Sequence, residues 1–265
     1  MVLSAADIAI MLGIGLVTGV VGGLVGLGGS IVMIPAMTWL FHGRAWDNQH
    51  LYQAAAMVMN VAVAVPATLR HQRARAIRWD LFRLMMVPTM LAMAAGVLVS
   101  NLFEGHRLEM VFAVFLVYVS TMTIVEMIRR TPDAPSGGAV ITFPRAACVG
   151  GAMGFVGGLL GVGGGTVAVP LSRMLCRLPL RQAIAASSAV MGVTSLVGAS
   201  MKIATLGGHG QSWRSALVLA LVLSPTVVAG GYLGAGLTHR LPLGVVRGAL
   251  VAFLLLAAAK MGGVL

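Results

Sequence analysis

The sequence predicts an all-α polytopic membrane protein of two homologous halves, each a broken, re-entrant glycine-rich helical element followed by three transmembrane helices. Three observations carry that expectation. Apolar runs near twenty residues recur along the whole chain, a glycine-rich signature occurs twice at a spacing of 135 residues, and Lys and Arg gather in short clusters between the runs. Composition agrees: 58% of the 265 residues are hydrophobic and only 9% charged, where soluble domains carry roughly a quarter charged residues. Mean hydropathy is +0.96.

The first run, about 8–41, is too long for one simple crossing and contains GGLVGLGGSIVMIP at 22–35. Glycine costs about 0.8 to 1 kcal/mol relative to alanine in a helix, so Gly26, Gly28 and Gly29 together favour a break. Unwound backbone is tolerated at membrane depth only where it is buried in protein or lines a wet cavity. The break therefore predicts a protein-lined interior site. Beyond it SIVMIPAMTWLF reads as a short second arm starting near Ser30, which Pro35 shapes rather than starts.

Single apolar runs follow at about 51–69, 81–103 and 108–128. The linker-like stretch RRTPDAPSGGAVITFPR at 129–145 divides the chain, placing the first repeat at 1–130, the linker at 131–144 and the second repeat at 145–265. The run 140–172 is again too long, contains GGLLGVGGGTVAVP at 157–170, and predicts a second short arm from Thr166. Runs at about 182–206, 215–238 and 243–264 complete the set. With the 135-residue offset, 11 of the 21 positions from Gly15 to Pro35 are identical to those from Gly150 to Pro170. Shared apolar bias does not account for that, and duplication does.

The doubled GGLxGxGGxxxxxP signature resembles that of the TauE/SafE sulfite exporter family, also called the toluene-sulfonate uptake permeases, over essentially the whole chain. The resemblance implies a secondary carrier of a small sulfur-containing anion such as sulfite or an organosulfonate, placed as a multi-pass protein in the bacterial inner membrane. It does not specify the anion.

The chemistry of the motif points the same way. A short arm opening on unpaired N–H groups and the positive end of a helix dipole attracts anions. The candidate substrate-binding residues are Gly28, Gly29 and Ser30 at the first break and Gly163, Gly164, Gly165 and Thr166 at the second. Asn60, Ser187 and Ser188, on the helices that follow the two breaks, have donors for a bound anion or, equally, for a neighbouring helix backbone. Gly15, Gly19 and Gly23 fit close helix packing instead. Arg70 and Lys202 hold matching positions near helix ends; snorkelling to the interface is the ordinary fate of such side chains, and gating or anion attraction is the alternative. Thr194 and Ser195 read as packing polars, and Glu126 as a surface ion pair with Arg129 or Arg130.

Several classes are excluded or disfavoured. The net charge of +11 lies in inter-span clusters, which sets membrane orientation rather than a nucleic-acid surface. No strand, P-loop lysine or soluble domain accompanies the glycines, so no nucleotide cofactor is expected. Cys148 and Cys176 form no metal-ligand spacing and read as packing residues. No nucleophile with base and orienting partner is visible, so the chain does not read as an enzyme. The acids and the six histidines fall in loops or at span ends, and no coupling ion is legible. The partners expected are a small anionic substrate and the lipid bilayer; the oligomeric state stays open, with a homodimer compatible, and so do an anion channel and a membrane scaffold.

Orientation decides between crossing and re-entry of the glycine elements. Eight crossings put 11 of the 18 Lys and Arg residues on the cytoplasmic side, whereas two re-entrant elements put 13 there, which fits the positive-inside rule better and makes the halves oppositely oriented. A reporter active only outside the cytoplasm is therefore expected to be active when fused after Leu265. Cytoplasmic activity there, with a cytoplasmic N-terminus, restores eight simple spans.

Overall fold

The computed structural model describes residues 3–25, 29–129, 138–237 and 243–263. Ten α-helices and one short 3-10 turn make up the described residues: α1 (Ala5–Val25), α2 (Ser30–Leu40), α3 (Gln49–Arg73), α4 (Trp79–Asn101), α5 (Gly105–Arg129), α6 (Phe143–Leu160), α7 (Gly165–Leu175), α8 (Leu180–Thr205), the turn Leu206–His209, α9 (Trp213–Leu237) and α10 (Leu243–Met261). Eight helices, all but α2 and α7, are long and apolar enough to cross a bilayer. At 1.5 Å per residue the 11-residue α2 and α7 reach only about 16 Å, half of a hydrocarbon core of about 30 Å.

Each short helix folds back along the long helix before it. Arg44, just past α2, forms an ion pair with Asp7 in the first turn of α1 at 2.8 Å. In the second half the Val140 N–H, ahead of α6, donates to the Cys176 carbonyl just past α7 at 3.0 Å. Both hairpins therefore begin and end at one level. Burial raises the thiol pKa of Cys176, while Cys148 is exposed on α6; of the two cysteines Cys176 is the packing residue its apolar context suggests.

Side-chain ties sort the loops to two ends of the molecule. At one end, with the Arg44–Asp7 pair, Asn48 Nδ2 donates to the His209 carbonyl (3.5 Å) and Asn101 Nδ2 to Thr205 Oγ1 (3.0 Å). At the other, Arg181 donates to the Ala74 carbonyl at 3.4 Å. Asn48 also caps α3, its side chain accepting from the His50 and Leu51 amides, which satisfies two of the helix's orphan N–H groups.

Helix packing exchanges the halves. The first helix of each half lies against the fourth helix of the other (α1 on α9, α6 on α4), α3 packs on α8, and α5 on α10. Glycines set the first of these contacts. A Cβ on Gly15 or Gly19 would overlap Thr226 or the Val227 carbonyl of α9, and one on Gly150, Gly154 or Gly158 would overlap Thr89 or the carbonyls of Thr89 and Met93 on α4. Backbone-to-backbone approach at this range is what small residues permit in a bilayer, where apolar burial alone gives helices no reason to associate. The result encloses α3 and α8, the most buried of the long helices.

With Cys148 and Cys176 replaced by alanine, single cysteines in place of the exposed Ala5 and Ala45 are expected to react with an impermeant maleimide from the same side of intact cells. Labelling from opposite sides would contradict the α1–α2 hairpin.

Candidate functional site

The tip of the second hairpin is built from backbone that only glycine adopts freely. Helix α6 ends at Leu160, Gly161 caps it with φ +78°, and Gly163 and Gly164 follow at φ +70° and +71°. Left-handed backbone costs an ordinary L-residue roughly 1–2 kcal/mol, so three such positions in four residues need the GVGG sequence. The reversal also brings Gly164 onto α6, where a Cβ would overlap the Met153 carbonyl. Gly164 is therefore required by the turn and by packing on α6, so a valine there damages the fold before it tests a ligand. Its counterpart Gly29 likewise faces Thr18 of α1. Gly28 lies outside the described residues.

Helix α3 of the first half supplies what the tip lacks. Asn60 Nδ2 donates to the Gly161 carbonyl at 3.3 Å, and Gln53 Nε2 donates to the Leu159 carbonyl at 3.1 Å. Gly161 itself packs on Gln53, a Cβ there coming 3.0 Å from its Cα, and Gly163 packs on Met191 of α8 and Asn60. Those two amides satisfy carbonyls released where α6 unwinds, the condition for irregular backbone at this depth.

Donors remain. Helix α7 has no capping side chain, and the N–H groups of Gly165 and Thr166, its first two residues, have no carbonyl partner among the described residues. Thr166 is 5% exposed and its hydroxyl has no hydrogen-bond partner. Gly165 is buried as well, yet a Cβ built on it meets nothing within 4 Å. An enclosed glycine that faces empty space thus lies beside an unpartnered hydroxyl and two amides without carbonyl partners. In the first half, Ser30 stands 135 residues before Gly165; it is fully buried and its hydroxyl is also unpartnered. Ile31 and Val32 of α2 share one continuous hydrophobic cluster with Leu160, Val162 and Val167 of the second tip. A crevice between α5, α7, α8 and α10 reaches Thr166 past Thr123, Glu126 and Arg247.

The remaining candidates divide. Ser187 on α8 returns its hydroxyl to the Ile184 carbonyl of its own helix at 3.0 Å, and Ser188 is half-buried next to it. Thr194 is tied within α8 to the Val190 carbonyl, and Ser195 is buried without a partner. Arg70 is exposed. Lys202, at the matching position, does not snorkel: it is fully buried, with Nζ on His50 Nδ1 (2.8 Å), Ser100 Oγ (2.7 Å) and Asn101 Oδ1 (3.0 Å). Glu126 is exposed at the crevice, and the Arg129 side chain and Arg130 lie outside the described residues. Sequence reading missed Gln53 and His50. Their signal was the polar set Gln49, His50 and Gln53 on one helix face at the edge of an apolar run.

A family model described as sulfite exporter TauE/SafE matches residues 11–261. The chain is 27% identical to the probable membrane transporter protein MamO of Magnetospirillum gryphiswaldense over 96% of its own length, but it spans only 45% of that relative. It is 25% identical to the probable membrane transporter protein YunE of Bacillus subtilis, covering 88% of this chain and 89% of YunE. The probable membrane transporter protein MJ0441 of Methanocaldococcus jannaschii is 23% identical, covering 86% of this chain and 85% of the relative.

Gly164→Ala and Gly165→Ala separate the two kinds of glycine. The first is expected to lower stability by about 1–3 kcal/mol through a strained φ and overpacking, and the second to leave it unchanged within about 0.5 kcal/mol. Thermal unfolding of the purified variants in detergent checks both.

Proposed function

The chain belongs to the sulfite exporter TauE/SafE family, and from that premise we propose that it is a secondary carrier of a small sulfur-containing anion, sulfite or an organosulfonate, bound at the hairpin tips. One observation carries the reading: the buried, unpartnered Thr166 hydroxyl beside free amides and empty space at Gly165. An oxyanion presents several acceptors and no obligatory donor, which matches a site offering N–H and O–H groups from the positive end of a helix. Donors without a full charge suit a carrier, because the anion must bind and then leave.

The halves act as inverted repeats in this proposal. A hairpin that returns to the end it entered, followed by three long helices, brings the next half in from the opposite end, so α2 and α7 approach the interior from opposite sides. The exchange of first and fourth helices between halves supports that arrangement. Ser30 and Thr166 then serve the same anion in turn, and alternating access comes from rocking of one half against the other. In a purely structural reading of the glycines, the hydroxyls of Ser30 and Thr166 would have no reason to be held without partners, since an unmade buried hydrogen bond costs about 1–3 kcal/mol.

Thr166→Val removes a donor at constant shape, and Gly165→Val fills the adjoining space. Each is expected to weaken binding of sulfite or methanesulfonate by roughly 10-fold or more, the equivalent of one hydrogen bond to a charged group, while the variants stay monodisperse. Isothermal titration with sulfite, thiosulfate, methanesulfonate and acetate, together with counterflow in proteoliposomes, reads both affinity and mode. Wild-type affinity in well-folded variants removes the tip from the binding site, and flux without counterflow or saturation identifies a channel.

A further inference from the structure

The geometry points to Lys202 as a proton-binding site whose loss of a proton releases Gln53 from α4, so that protonation sets the state of the second hairpin tip. The ammonium group has three N–H donors and all are engaged, by His50 Nδ1, Ser100 Oγ and Asn101 Oδ1. None of these acceptors is an anion. Among the described residues no carboxylate lies within ion-pair distance of Lys202, so a full charge is held in the interior by neutral groups alone.

Each acceptor's own partner fixes what it can do. His50 Nε2 lies 3.0 Å from the Phe103 carbonyl, which only accepts, so Nε2 carries the ring proton and Nδ1 is left as an acceptor. Asn101 uses its amide nitrogen on Thr205 Oγ1, which turns Oδ1 to the lysine. Ser100 is different. It accepts from Lys202 and donates onward to Gln53 Oε1 at 3.1 Å, and a hydroxyl can exchange those roles.

When Nζ gives its proton to water, the resulting amine keeps two N–H groups and gains a lone pair. His50 Nδ1 and Asn101 Oδ1 can only accept, so they retain the two donors. The lone pair then needs a donor, and the Ser100 hydroxyl is the one within reach. Turning it to Nζ removes the hydrogen bond that ties Gln53 to α4. Gln53 also holds the Leu159 carbonyl and forms the surface under Gly161, so its release is felt at the tip. The path from proton to tip is three hydrogen bonds, Lys202 to Ser100, Ser100 to Gln53 and Gln53 to the Leu159 carbonyl, the last two joined by the Gln53 carboxamide.

The other charged or titratable groups around Lys202 do not replace this role. From α3 comes His50, and from the 3-10 turn His209, whose ring stacks on His50 with centroids 3.7 Å apart. Among the described residues the contacts from α4 are Ser100 and Asn101 and that from α6 is the Leu159 carbonyl through Gln53, none of them titratable. Glu104 and Arg214 on the adjoining segments are exposed. Asp47, ahead of α3, is engaged by His42 and Tyr52.

Resting on the reading of the tip as the anion site, the switch makes anion movement proton-coupled. Its test does not depend on that reading. The chain has two lysines, Lys202 and Lys260, so the full-length protein labelled with ¹⁵Nζ-lysine in nanodiscs gives two resonances, assigned with Lys260→Arg. The Lys202 resonance is expected to convert from ammonium to amine as pH is raised within the range where the protein stays folded. Hydrogen exchange of residues 158–165, corrected for intrinsic pH dependence, is expected to rise several-fold over the same range. In Ser100→Ala the resonance should still convert while exchange at the tip loses its pH dependence; in Lys202→Arg, which holds the charge, the tip should stay in its slow form. A Lys202 ammonium that never converts, or tip exchange with the same pH profile in wild type and Ser100→Ala, overturns the proposal. With methanesulfonate, which stays ionised throughout, accumulation in proteoliposomes should follow an imposed pH gradient in wild type and ignore it in Lys202→Arg. Gradient-independent accumulation by wild type refutes the coupling, while no flux of any anion refutes the carrier reading and leaves the proton switch to the resonance and exchange measurements.

Discussion

The structure depends on one constraint: inside a bilayer, backbone that leaves the helix must find its hydrogen-bond partners within the protein. Between Leu160 and Gly165 three residues, Gly161, Gly163 and Gly164, hold left-handed backbone. Asn60 and Gln53 answer the exposed carbonyls from a helix of the other half. The Leu159 and Gly161 carbonyls are therefore satisfied, while the Gly165 and Thr166 amides at the start of α7 have no carbonyl partner among the described residues. The proposed anion site rests on those amides and on the unpartnered Thr166 hydroxyl beside them.

Positioning the tip is the task of the glycine faces. Because α6 lies backbone to backbone on α4, and α1 on α9, the hairpins are fixed to the opposite half rather than to their own. The second tip thus sits between the two halves, against Gln53 and Asn60 of α3. Gly154 and Gly164 are equally demanding in space and serve different ends, one docking the hairpin and the other letting its short arm turn back along α6. Gly165 alone of the glycines from 161 to 165 faces room.

Much of this was legible in the residues. Glycine spacing, the 135-residue offset and runs near twenty residues predicted the broken elements and the long helices, because helix propensity and hydropathy are local quantities. Basic residues between the runs favoured hairpins that return, and the Arg44–Asp7 and Val140–Cys176 ties close both hairpins. What escaped reading depends on contacts across the fold. Gly164 reads like any other glycine of its motif until Met153 is seen against it. Lys202 reads as an interfacial lysine because its partners lie about a hundred or more residues away in sequence, at His50 and Ser100, and the polar character of each is spread over an otherwise apolar helix. Ser187 and Ser188 both lie on α8, but the Ser187 hydroxyl is bound to the Ile184 carbonyl of its own helix, a local bond that no spacing rule specifies.

The central claim is that free donors at the first turn of α7 bind an oxyanion. Anomalous diffraction from crystals soaked in selenite, a heavier analogue of sulfite, tests it most directly. The account predicts a selenium peak within hydrogen-bond reach of the Gly165 and Thr166 amides and of Thr166 Oγ1, absent from crystals of Thr166→Val soaked alongside. Selenium bound only at exposed arginines, with the space beside Gly165 empty at saturating selenite, would contradict it.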